Sequence, residues 1–258
     1  MIQQYTVRGL PILLDVDSKA ESWRGDTYAS KEPETLEWMD RHFRPGDTFF
    51  DVGANIGLYS LYAALRMERR GLVYAFEPEA LNHAKLNRNT HLNGLSGLVL
   101  PLCIAVSDTL AVAPLNIHPL GLDLMDQGAY VPGAAMHCFG STRDFEGKDF
   151  TPFHVQMMLG VPLDRLCYEL GLPTPAHLKI DVDGHEGKVL AGADRLLRDP
   201  GLRTLLVEIT FTQGEHEDFY KTLRQAGFAE ESDYPEHSDQ QLAGTRWAGT
   251  GNRIFVRA

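Results

Sequence analysis

The sequence is poor in cysteine, in basic charge and in long apolar runs. Its 258 residues hold three cysteines, Cys103, Cys138 and Cys167, far apart and without a C-x-x-C pair. That excludes a disulfide framework and a zinc knuckle, and it leads us to expect a reducing, cytoplasmic setting. Acidic residues outnumber basic ones by 35 to 24, for a formal net charge of -11. A binder of nucleic-acid backbones would carry a basic stripe, so neither nucleic acid nor an anionic membrane surface is an expected partner. No apolar run approaches the roughly 18 residues of a membrane span. The opening stretch, MIQQYTVRGLPILLDVD, has no basic leader and turns acidic within its apolar part, so it does not read as a secretory signal. Internal repeats and low-complexity tracts are missing too. What remains is enough apolar residue, 43% of the chain, to bury the core of one large α/β domain or two small ones.

The pattern along the chain predicts strands alternating with helices. Pro33 suits a first helical position, and Leu36, Met39 and Phe43 share one face of a helix over 33–43. A buried strand is expected at 48–52, a helix from Leu58 to a stop at Gly71, a strand at 72–78 and a second helix over 79–94. A third apolar strand follows at 98–108. Residues 109–160 break the rhythm and read as short strands and loops, an insertion of the kind that forms lids and binding loops. Alternation returns with a helix near 164–170 capped by Asp164, a strand at 177–184, a helix over 186–199, a strand at 204–210, a helix over 217–228 and a final strand at 252–258. This predicts a doubly wound α/β sheet, mostly parallel. Residues 1–46 read as an N-terminal segment and helix able to cover a substrate, and 47–258 as the main domain.

Directly behind Phe49 and Phe50 stands DVGANIG, residues 51–57. In an open parallel sheet, ligands bind beyond the carboxyl ends of the strands, and glycines there allow unusual dihedrals and close backbone approach. A dinucleotide site needs G-x-G-x-x-G, but from Gly53 that register lands on Asn55 and Leu58, so a nicotinamide-dependent oxidoreductase is disfavoured. No G-K-[ST] follows, which removes a P-loop. A ligand without pyrophosphate and with a cationic end fits better. S-adenosylmethionine meets both conditions: Asp51 can attract its ammonium or sulfonium, and the turn amides of Gly53, Asn55 and Gly57 can receive its carboxylate. Glu77, 24 residues after Gly53, ends the next strand, where a carboxylate accepts from both ribose hydroxyls. Ser107 and Asp108, in AVSD, are placed to reach the adenine amino group, or to serve only as ordinary turn residues.

FFDVGANIGLYS, VYAFEPEALNHAKLNRNTHLNG, AVSD and HLKIDVDGHEGKVLAGA occur in that order. Together, over roughly residues 28 to 210, they resemble the FkbM-type methyltransferases, a branch of the S-adenosylmethionine-dependent Rossmann-like enzymes. The resemblance implies a class I methyltransferase fold, a seven-stranded sheet whose final strand is antiparallel. It also implies O-methylation of a hydroxyl on a natural product, sugar or related small molecule. The chain departs from the pattern at Asp183, where a glutamate is the more usual residue.

Methyl transfer needs a nucleophile held in line with the methyl carbon and shielded from water, and a hydroxyl is a poor nucleophile at neutral pH. KIDVDGHE (179–186) is the natural source of help: His185 as the base, with Asp181 and Asp183 as further catalytic candidates, Asp181 also facing the cofactor. Glu186 suits support of the helix start, and Glu208 can point into the cleft or form an ion pair. An EF-hand is excluded because its glycine position falls on Glu186, and position 189 is valine, so there is no H-E-x-x-H. Asp181, Asp183 and Glu208 remain a conceivable but less favoured magnesium site. Substrate contacts are expected from Tyr28, Ser30 and Glu32, from Asn116, His118, Tyr130, His137 and Arg143, and from the tail 234–247. A methyltransferase acting on nitrogen or carbon, or a non-catalytic nucleoside-binding module, shares these features. The acceptor and the oligomeric state are left open.

Overall fold

The computed structural model describes residues 1–119, 129–210, 216–234 and 248–258. It opens with a hairpin, β1 (Ile2–Val7) and β2 (Leu10–Asp15), that sequence reading did not anticipate. Ser18 and Glu21 form a reciprocal capping box that starts α1 (Lys19–Asp26). Helix α2 (Pro33–His42) follows, with proline in its first turn as expected. The core alternation is β3 (Thr48–Val52), α3 (Leu58–Arg66), β4 (Leu72–Phe76), α4 (Ala80–Leu92) and β5 (Val99–Leu102). Further on come β6 (Ala105–Val106), β7 (Ala111–Ile117), β8 (His137–Phe139), β9 (His154–Val161), α5 (Leu163–Tyr168), β10 (His177–Ile180), α6 (Glu186–Ala191), α7 (Asp194–Arg198), β11 (Thr204–Thr210), α8 (His216–Gln225), β12 (Phe228–Glu230) and β13 (Thr250–Arg257).

Seven strands form the main sheet in the order β12-β13-β11-β10-β3-β4-β5. β13 runs antiparallel to both its neighbours, and the other pairings are parallel. The class I methyltransferase architecture with a reversed last strand is therefore present. Strand order turns back between β3 and β10, so the crevice above the ends of these two strands is the expected ligand site. Phe49 and Phe50 show how the sheet divides the core, since consecutive residues of a strand face opposite sides. Phe49 packs with α2, α3, α4 and the hairpin, and Phe50 with α5 to α8.

Three expectations need correction. The strand expected at 98–108 is two strands in two sheets: β5 closes the main sheet, whereas β6 joins a smaller one of order β6-β9-β7-β8, the expected insertion. The helix expected at 186–199 is broken at Gly192, where a Cβ would lie 2.1 Å from the Ser107 carbonyl oxygen. Asp164 does not cap α5. Its carboxylate accepts from the amides of Arg195 and Leu196, at 2.8 Å each, and so caps α7. The hairpin is bound to α4 by side-chain amides: Asn93 brackets Leu13, and Asn89 accepts from the Asp15 amide. Lys85 reaches Asp15 and Asp17.

Candidate active site

The turn after β3 is held by backbone at positive φ: +84° at Gly53, +50° at Asn55 and +94° at Gly57. Gly53 is required by close packing, because a Cβ there would sit 1.8 Å from the Asp181 carbonyl oxygen. Gly57 lies against Leu86 of α4 in the same way, at 2.5 Å. The amides of the turn point inward. Gly53 and Ala54 both donate to Phe76, Asn55 donates to a Glu77 carboxylate oxygen, Ile56 to Asn55 Oδ1 and Gly57 to Ala54. They are occupied, and the expectation that they would receive a ligand carboxylate is not met. The Asn55 side-chain amide donates to Ala134, which ties the turn to the insertion.

Two clefts flank this turn and share Gly53. The first, of about 440 Å³, is lined by Tyr28, Glu32, Tyr59, Lys179 and Asp181, with Arg24 and Lys31 at its border. It is a charged cleft. Lys179 is fully buried, and its ammonium donates to Asp181 Oδ2 at 2.6 Å. Burial pulls that ammonium down, but Asp181, Asp51 and Glu32 outweigh it and hold its pKa above the ordinary lysine range. Glu32 is likewise buried, yet Lys31 and Lys179 keep it below the usual carboxylate range. Asp51, at the tip of β3, accepts from the Ser60 hydroxyl at 2.5 Å through Oδ2, while Oδ1 has no partner among the described residues. Burial raises its pKa, against the pull of Lys179.

The second cleft, of about 340 Å³, is mainly apolar. Phe76, Pro78, Ile104, Val106 and Val182 line it, with His137 and His185. Neither ring nitrogen of His137 has a partner among the described residues. Burial pushes both histidines down to about 4, so both are neutral at physiological pH. At its edge is Glu77, whose two oxygens accept from the amides of Asn55 and Glu79 at 2.8 and 2.9 Å. Burial pushes this carboxyl up to about 8, although both amides favour the ion.

The predicted residues divide between these places. Asp51, Gly53, Asn55, Glu77 and Asp181 meet at the turn. Ser107 is buried beside the apolar cleft, its hydroxyl 3.0 Å from His185 Nε2 and 3.1 Å from Asp108, while Asp108 is exposed. Asp183 adopts φ +53° and accepts from the Met136 amide at 2.7 Å, so its carboxylate fastens the insertion. Glu186 accepts from the amides of Val182 and Gly184 and shapes that same loop. Burial raises the Glu208 carboxyl, helped by Asp181, Glu186 and Asp183. Among the described residues no group of three or more His, Cys, Asp and Glu is placed to hold a metal ion.

Of the substrate candidates, Tyr28 and Glu32 lie in the charged cleft and His137 in the apolar one. Tyr28 donates to the Leu58 carbonyl, and Tyr130 to the carboxylate of Glu79 outside both clefts. Asn116 donates to the Ser141 carbonyl, and Arg143 to Gly147. Residues 235–247 of the tail lie outside the described residues. Sequence reading missed Lys179, Tyr59, Lys31 and Arg24. A signal for Lys179 existed: it stands two positions before Asp181, which follows directly on β10, so alternation along the extended chain turns both to one side.

S-adenosylmethionine has an apolar base at one end and a zwitterionic amino acid at the other. The adjoining apolar and charged clefts match both ends in polarity, and buried Asp51 lies two residues before Gly53, which they share. The model for the Methyltransferase FkbM domain matches residues 51–229. A 31-O-demethyl-FK506 methyltransferase from Streptomyces tacrolimicus is 33% identical over 204 residues, 72% of this chain and 74% of its own length. The methyltransferase sdnD of Sordaria araneosa is 29% identical over 213 residues, covering 77% and 80%. Among solved structures, an FkbM methyltransferase from Methylobacillus flagellatus KT shares the fold at 12% identity and a TM-score of 0.52. The match covers 93% of this chain and 55% of that one. The chain belongs to the FkbM domain family of S-adenosylmethionine-dependent methyltransferases.

Proposed function

We propose that the protein methylates a hydroxyl oxygen of a small organic molecule. The observation that carries this reading is the meeting of the apolar and charged clefts at Gly53, at the point where strand order reverses. The apolar cleft takes the nucleoside, with Glu77 accepting from its sugar and Ser107, Asp108 and His137 bordering its base. Asp51 faces the amino-acid end. When bound, the cofactor supplies an electrophilic methyl carbon. The chain's own part is to orient the acceptor, exclude water and take its proton.

Asp181 is the residue best placed for that proton. Lys179 occupies Oδ2, so the proton goes to Oδ1 at the floor of the charged cleft. Tyr28 and Glu32 form the cleft wall that positions the acceptor. Asp183 acts by fixing the loop through Met136, and His185 borders the nucleoside side. Oxygen as the accepting atom is supported by the Streptomyces relative, named for a 31-O-demethyl substrate. A small-molecule acceptor is supported by the charged cleft at the strand tips and by the acidic charge of the chain. Three free cysteines support a reducing, cytoplasmic compartment, and among the described residues no helix is long and apolar enough to cross a membrane. Residues 1–46, which bring Arg24, Tyr28 and Glu32 to the rim, serve as the cover of a site otherwise built by 47–258.

The test is incubation with S-adenosylmethionine and a panel of hydroxylated small molecules, followed by mass spectrometry and product NMR. A gain of one CH2 on oxygen, lost in D181N while that variant still binds S-adenosylhomocysteine, is the expected outcome. Methylation confined to nitrogen or carbon, or full turnover by D181N, contradicts the proposal.

A further inference from the structure

The small sheet β6-β9-β7-β8 has a second face that is exposed along β9 and the start of β7, while Asn116 and Cys138 on that same face are buried, Asn116 donating to the Ser141 carbonyl. On β9 and the residue before it, Phe153, Val155, Met157 and Leu159 stand at alternate positions and therefore project to one side. Val112 of β7 is the cross-strand partner of Leu159, and Leu110 precedes it. These six side chains are between 42% and 69% exposed. The opposite face of the same strands holds Leu115, Ile117 and Met158, which are buried with Phe139 and Ala105 in a core of their own. The sheet is thus apolar on both sides, and one side is exposed along β9 and the start of β7.

From this geometry we propose that the exposed face is an isologous interface with a second copy of this chain. Six half-exposed side chains of this size present on the order of 600 Å² of apolar surface, at the upper limit of what a monomer shows to water. Two copies face to face then bury about 1,200 Å², which reaches the range of stable interfaces. None of the six is charged. In a chain of net charge -11, such a face lets two copies meet without desolvating like charges. The loop that leads into Phe153 carries exposed charges of both signs that pair within the loop, Arg143 with Asp149 and Lys148 with Glu146.

The face lies on the insertion, whose β8 carries His137 into the apolar cleft, so pairing also fixes the strand that borders the site. This inference does not rest on the methyl acceptor.

Sedimentation velocity on the full chain tests it, over a range up to about 100 µM. The wild type is expected at twice 28.8 kDa. M157E and V155E, at exposed positions, are expected to raise the dimer dissociation constant at least about 100-fold, with far-UV spectrum and cooperative urea unfolding retained. The conservative M157L should stay dimeric, which separates loss of the interface from loss of the fold. A monomeric wild type at the highest concentration, or a dimeric M157E, overturns the proposal. The first would leave the face to another occupant, and the second would put the dimer contact elsewhere.

Discussion

If Glu77 receives the ribose as proposed, cofactor binding is a proton-release reaction. In the free protein, burial holds its carboxyl at about 8. Two ribose hydroxyls donating to its oxygens favour the ionised form, which would return it toward the ordinary carboxylate value near 4.5. Between those two values, free protein carries the proton and complex does not. At pH 6.5, binding should therefore release about one proton. Affinity should rise with pH by up to tenfold per unit, so that the dissociation constant falls about 20-fold from pH 6 to pH 7.5 and levels off above pH 8. Titration calorimetry of S-adenosylhomocysteine in buffers of different ionisation enthalpy reads the proton directly. E77Q should abolish both the release and the pH slope, and weaken binding roughly 10- to 100-fold at pH 8, the loss of charge-assisted bonds. The ligand-free protein should show the opposite trend. A pKa raised above its unfolded value gives stability that is complete below about 4.5 and is lost as pH rises through about 8. Wild type should thus lose stability relative to E77Q over that window. No proton release by wild type, with a flat dissociation constant from pH 6 to 8, would refute the assignment of the ribose to Glu77.

Three further outcomes follow from named contacts. G53A puts a Cβ within 1.8 Å of the Asp181 carbonyl at φ +84°, and should cost about 3 kcal/mol or abolish folding. Urea denaturation measures it, and a loss below about 1 kcal/mol would mean the two strand tips part easily. K179M leaves Asp181, Asp51 and Glu32 without their buried cation and should destabilise by roughly 3–5 kcal/mol; a neutral effect in thermal unfolding would show that the acids are already protonated. His177, stacked on Phe43 and bonded to Asp47 and Thr204, is held by burial at about 4. Its contribution is present above pH 6.5 and lost as pH falls through about 4, worth up to about 3 kcal/mol. H177N should therefore flatten the urea midpoint between pH 6.5 and 4, and an unchanged slope would assign the titration elsewhere.

What could be read in the sequence was whatever repeats locally. The βα periods around Phe49–Val52, Leu72–Phe76 and Thr204–Thr210 carry their own boundary signals, and the elements lie where the pattern puts them. The hairpin Ile2–Asp15 carries none. Its turn is Arg8-Gly9, and its stability comes from Asn89 and Asn93, about 80 residues away. The breaks at 103–104 and at Gly192 also have non-local causes. The chain changes sheets after Leu102, and Gly192 is pressed against the Ser107 carbonyl by the same crossing. A pattern of apolar residues is blind to both.

The site shows the same division with a sharper consequence. DVGANIG announced a ligand turn, and the turn is there, but its glycines act through packing against Asp181 and Leu86, and its amides are used up inside the protein. Sequence reading gave the cationic end of the ligand to Asp51 and its carboxylate to the turn amides, and it did not single out Lys179. That lysine is fully buried inside β10, flanked by Leu178 and Ile180. Once folded, it sits among Asp51, Glu32 and Asp181, and on the proposed reading it would set how much negative charge the cleft keeps beside a sulfonium. That balance has a functional reason to be close to even. With too few carboxylates the cation has no partner, while an unneutralised group of acids would take up protons and lose the ability to receive one from a hydroxyl. Among the described residues, two carboxylate oxygens around this buried lysine have no hydrogen-bond partner, Asp51 Oδ1 and Glu32 Oε2. On the proposed reading, recognition of a cationic cofactor rests on the charge network of Lys179, Asp51, Glu32 and Asp181, and the glycine turn brings its members together.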